Sequence, residues 1–173
     1  MPRRFVIAVL LMLIVVIPVG TYLYMQKTQS DMQKAANVSD FDLIFRYGVG
    51  AKNELNTYNG TYTKDMVIDP SITTDLSLTV EEKWQILQRV DEMDFFNLPS
   101  NFTMNPSMHI STQVDYYIRV KNGSQVKEIS WSNNSLMESN IQSSLEQLVR
   151  YLTSVIQQKP EYKALPTPTA GYV

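Results

Sequence analysis

The residue types able to do chemistry here are few, and their spacing argues against most catalytic schemes. His109 is the sole histidine. A Ser-His-Asp relay needs that imidazole beside an activated serine, yet His109 follows Pro106 and Ser107 in a loop segment with no nucleophile-elbow pattern. Met104, Met108 and His109 fall within six residues, a thioether and imidazole set that would suit Cu(I). The competing reading is that the methionines fasten a long loop to a core. Ser124-Gln125-Val126-Lys127 has the form Ser-x-x-Lys, but that chemistry needs Lys one helical turn beyond Ser, and these residues open a strand. Gly48-Val49-Gly50 ends a strand and leads into Ala51-Lys52-Asn53 without a third glycine or a helix start, so it is no phosphate cradle. Asp65, Asp69 and Asp75 lack the spacing and distal Glu of a Ca²⁺ loop. No cofactor is expected from these sets.

Tyr117, Arg119 and Glu128 are the better candidates, as a binding surface. Val114, Tyr116, Ile118 and Val120 alternate up to Asn122-Gly123, and Val126, Ile129 and Trp131 return. With a two-residue turn on Asn-Gly, Val114 would face Trp131, Tyr116 would face Ile129, and Arg119 would lie diagonal to Glu128. If helices cover the Tyr116 side, Tyr117, Arg119 and Glu128 occupy the outer side, where Tyr and Arg are enriched in binding hot spots. The plainer alternative is an ordinary cross-strand network.

The elements that must position these residues follow from periodicity. Phe41, Leu43, Phe45, Tyr47 and Val49 alternate with polar or small residues and predict a strand with one buried face. Asn59-Gly60 predicts another two-residue hairpin turn, and Ile72, Thr74, Leu76 and Leu78 a further strand after a break at Asp69-Pro70. Two helices are each announced by a capping box, Thr79 with Glu82 and Ser135 with Glu138. The first would bury Val80, Trp84, Leu87 and Val90. The second carries one apolar stripe from Met137 to Val155 and stops before Pro160. The expected fold is α+β: an antiparallel sheet of about five to six strands with two helices on one face.

Ahead of this domain, Arg3 and Arg4 precede an uncharged run from Phe5 to Met25. About 20 such residues suffice to cross a bilayer. No Ala-x-Ala cleavage pattern follows, and Tyr22 and Tyr24 suit the membrane interface. Residues 1–25 therefore read as a single-pass transmembrane signal anchor, residues 5–25 contacting lipid, with the N-terminus cytoplasmic and the domain outside. Residues 26–39 read as a polar linker or helical stalk, 40–164 as the domain, and 165–173, with Pro166, Pro168 and Gly171, as a flexible tail. Two of the fifteen Lys+Arg precede the run, leaving 13 against 17 Asp+Glu and a formal charge of −4 beyond it. No basic stripe is present for nucleic acid. The chain has no cysteine, so neither disulfides nor thiol chemistry enter.

Asn-x-Ser/Thr occurs at Asn37, Asn59, Asn101, Asn122 and Asn133. These would be glycan acceptors in a host that modifies outward-facing Asn, or simply the polar residues that turns demand. The segments Tyr47-Gly48-Val49-Gly50-Ala51-Lys52-Asn53, Gly60 to Met66, Asp94-Phe95-Phe96 and Glu161-Tyr162-Lys163 through Tyr172 resemble a family of uncharacterised prokaryotic membrane-anchored or secreted proteins, over residues 41–172. That resemblance implies a shared fold and location and supplies no site. Two functions stay open: a non-enzymatic module binding a protein, an envelope polymer or a small ligand through its sheet face or loops, and an envelope hydrolase whose carboxylates meet only in the fold. Two converging carboxylates in a deep cleft, one with a raised pKa, would mark the second.

Overall fold

The computed structural model describes residues 3–106 and 112–172, with side chains from residue 19 onward. It divides into two units, Met1–Asn37 and Val38–Val173. The first is a helix, α1 (Arg3–Asn37). Most of the apolar run lies in side chains outside the described residues. Among the described residues no helix is long and apolar enough to cross a membrane.

In the second unit the alternation of Phe41, Leu43 and Phe45 makes β1 (Phe41–Gly48), with those three side chains fully buried. It is followed by β2 (Asn53–Asn56), β3 (Thr61–Met66), β4 (Asp69–Asp75), α2 (Val80–Glu92), β5 (Asp115–Asn122), β6 (Gln125–Ser132), α3 (Ser139–Gln158) and the short α4 (Pro160–Lys163). The strands form one six-stranded antiparallel sheet in the order β4-β3-β2-β1-β5-β6. The most apolar strand is thus central. Leu55, Tyr62, Ile118, Val120 and Ile129 share the buried side with β1 and form one core with Ile86, Leu87 and Val90 of α2 and Leu145, Leu148, Leu152 and Ile156 of α3.

Both turn expectations are corrected. The first hairpin has a four-residue loop, Thr57 to Gly60, because Asn56 Oδ1 accepts from Tyr58 N at 3.1 Å and Asn59 N at 3.3 Å while Thr57 N pairs with Leu43 O at 2.9 Å. These bonds satisfy the backbone before Asn-Gly is reached. In the second, the loop is Gly123-Ser124, and Asn122 still pairs with Gln125. Gly123 takes the positive φ of 58° that the first loop position requires. Tyr116 therefore faces Trp131, and Arg119 stands directly opposite Glu128. The slip is two residues, so every side chain keeps its predicted face.

Other boundaries move for equally local reasons. The turn into β4 falls at Val67-Ile68, and Pro70 lies within β4, where an edge strand tolerates a missing N–H. The Thr79–Glu82 capping box forms as expected, with Glu82 N to Thr79 Oγ1 at 3.2 Å and Thr79 N to Glu82 Oε2 at 2.7 Å, but Val80 is exposed. The Ser135–Glu138 box does not form. Ser135 Oγ instead accepts from Ser132 N at 2.9 Å, closing the turn after β6, and α3 starts at Ser139.

The expected flexible tail is docked. Tyr172 OH donates to Asp65 Oδ2 at 2.5 Å, Lys64 Nζ to Pro166 O at 2.9 Å and Thr169 Oγ1 to Asp69 Oδ2 at 3.1 Å. Its anchors, Lys64, Asp65 and Asp69, lie on β3 and β4, far away in sequence.

Candidate functional site

The side of the sheet opposite the core carries two adjacent cross-strand rows. One is Thr63, Glu54, Arg46 and Tyr117; the other is Thr61, Asn56, Ile44, Arg119 and Glu128. The three residues singled out from sequence are thus brought together. Arg119 Nη1 lies 3.5 Å from Glu128 Oε1. Burial raises the Tyr117 phenol above its usual value, the Glu128 charge adds to this, and Arg119 and Arg46 oppose it.

Two guanidinium groups lie over rings on this face: Arg46 5.2 Å from the Tyr117 centroid and Arg119 5.9 Å from that of Tyr58. Arg46 Nε also donates to Glu54 Oε2 at 2.5 Å, and Asn56 Nδ2 to Glu54 Oε1 at 3.1 Å. Arg119 Nε is buried without a hydrogen-bond partner. Arg46 and Glu54 escape sequence reasoning. The signal was the polar member of each β1 alternation, but nothing local says that β2 and β5 flank β1.

Of the Met104, Met108 and His109 set, only Met104 is among the described residues. Met104 is exposed, its backbone bridged to Ser135. Among the described residues no three His, Asp or Glu side chains converge on a metal-sized site. Asp65 is buried and serves the fold, its carboxylate accepting from Tyr172 OH and Val67 N.

At the far end of the sheet, Tyr116 and Trp131 stack, centroids 5.1 Å apart with planes 18° from parallel. Clefts of about 310 and 350 Å³ flank the pair. Glu146 is the carboxylate of the first and Asp115 that of the second. No family model matches the chain, and no curated protein matches it.

Proposed function

We propose that this chain is a membrane-tethered extracytoplasmic domain acting as a non-enzymatic interaction module, and that a protein partner docks on the Tyr117-Arg119-Glu128 face. The observation that carries the reading is the pairing of Arg46 with Tyr117 and Arg119 with Tyr58 on the side of the sheet facing away from its core. Contact with these rings, and for Arg46 the bond to Glu54, restrains the guanidinium groups, so less side-chain entropy is lost on binding. The tether rests on Arg3 and Arg4 before the run from Phe5 to Met25. The hydrolase alternative has less support. The carboxyl held above its usual range among the described residues is Asp91, raised by burial, and it lines neither flanking cleft.

In-cell crosslinking of the full-length chain, followed by mass spectrometry, tests the docking face. A recurrent partner should be captured by the native chain and lost from Tyr117→Ala/Arg119→Ala at equal expression and folding. Unchanged capture by the double variant would overturn the docking face. Because the chain lacks cysteine, a single Lys127→Cys tests the tether separately. Labelling by a membrane-impermeant maleimide on intact cells is expected; labelling only after lysis would reverse the topology.

A further inference from the structure

The aromatic pair at the end of the sheet has features that the docking face does not use. Trp131 is buried and backs Tyr116, which keeps part of its ring accessible. Tyr116, Trp131, Ser132 and Ser135 wall both clefts, so the two adjoin along one aromatic wall. On the α3 side the wall is faced by Gln142, Glu146 and Arg150. Gln142 Nε2 donates to Glu146 Oε1 at 2.9 Å, and Arg150 Nη1 lies 3.4 Å from Glu146 Oε2.

The α3-side cleft is charge-balanced, Glu146 against Arg150, and the second adds only the Asp115 carboxylate, so neither cleft selects an anion. The first cleft joins an apolar floor, Tyr116, Trp131, Met137 and Val149, to planar groups that donate and accept in fixed directions, those of Gln142, Glu146 and Arg150. An apolar side chain entering here would desolvate those groups without replacing their hydrogen bonds, at a cost of about 1–3 kcal/mol per group. The matching ligand is uncharged, carries a flat face of C–H bonds for the ring, and is edged with hydroxyls. A pyranose sugar has that shape. Two adjoining clefts of similar volume along this wall suit consecutive sugars of a chain better than a single compact ligand.

We infer that the Tyr116–Trp131 wall is a binding site for a neutral glycan chain. Tyr116 supplies the stacking surface, Trp131 holds it in place, and Gln142, Glu146 and Arg150 read the hydroxyls of the sugar on the α3 side. The second cleft shares Tyr117 with the docking face, and Arg119, which lines neither cleft, tells the two sites apart.

Saturation-transfer NMR on the full chain in lipid nanodiscs, with neutral tetramers of glucose, mannose and N-acetylglucosamine as probes, tests it. At least one tetramer should receive saturation, concentrated on the C–H protons of one sugar face. Tyr116→Ala should reduce that signal at least tenfold. Since Tyr116 also packs on the core, Gln142→Ala/Arg150→Ala on the exposed side of α3 provides an independent check, with an expected loss of about fivefold. Arg119→Ala, outside both clefts, should leave the signal unchanged. No saturation of any tetramer, or a signal that persists in both cleft variants, would overturn the site.

Discussion

Arg119 and Glu128 are direct cross-strand partners, with Nη1 3.5 Å from Oε1 on the outer side of β5 and β6. Both side chains are well exposed, 39% and 51%, so solvent screens the pair. A double-mutant cycle of Arg119→Ala and Glu128→Ala, followed by urea unfolding, should give a coupling below about 1 kcal/mol. A larger coupling would make the pair a structural strut rather than an adaptable contact surface.

Gly48 holds φ at 101°, and a Cβ there would meet Asn53 Nδ2 at 2.8 Å. That amide donates to Tyr47 O at 3.1 Å, while Asn53 Oδ1 accepts from Asp65 N at 3.0 Å. Gly48→Ala should therefore lose about 1–3 kcal/mol through backbone strain and displacement of Asn53. Thermal unfolding measures it, and a change under about 0.5 kcal/mol, the size expected of a surface substitution, would show that the connector relaxes freely.

Glu82 joins the start of α2 to the end of α3, its Oε2 lying 2.6 Å from Lys159 Nζ. Burial pushes its carboxyl up, but the Lys159 ammonium and the Thr79 bonds pull it further down, leaving it below its usual value of 4.5. The charged form is thus favoured by folding. That stability is complete above pH 4.5 and is lost as pH falls through the lower folded value. Glu82→Gln should cost about 0.5–1 kcal/mol at neutral pH and flatten the acid limb of the stability curve. An unchanged acid limb would refute this.

Tyr47 OH and Tyr62 OH lie 2.7 Å apart beside the core. Burial pushes Tyr47 up to about 12, against a partly opposing bond from Tyr62, and burial raises Tyr62 as well. Folding favours the neutral phenols. Their contribution is intact below pH 10 and declines as pH rises toward 12. Ultraviolet titration of Tyr47→Phe should lack a late-ionising phenol and show a shallower alkaline loss of stability. A titration identical to that of the native chain would contradict the burial.

Tyr172 closes the tail against Asp65. Tyr172→Phe removes that bond and should cost about 0.5–1.5 kcal/mol locally, seen as faster hydrogen exchange in residues 166–172. Exchange already at the rate of an unstructured peptide in the native chain would mean that the tail is undocked.

Sequence alone determined most of the elements and the faces of the sheet strands. Phe41, Leu43 and Phe45 alternate, and Thr79 with Glu82 caps a helix, because burial period and capping depend only on near neighbours. Even the hairpin slip spared the face of Arg119, since a shift of two preserves side-chain parity. What tertiary structure decided was every relationship between distant segments. Arg46 reaches Tyr117 because β5 lies beside β1, and Tyr172 reaches Asp65 across 107 positions. The Ser135 hydroxyl closed the turn after β6 rather than capping α3. In each case several local partners were chemically acceptable, and packing around one core selected among them.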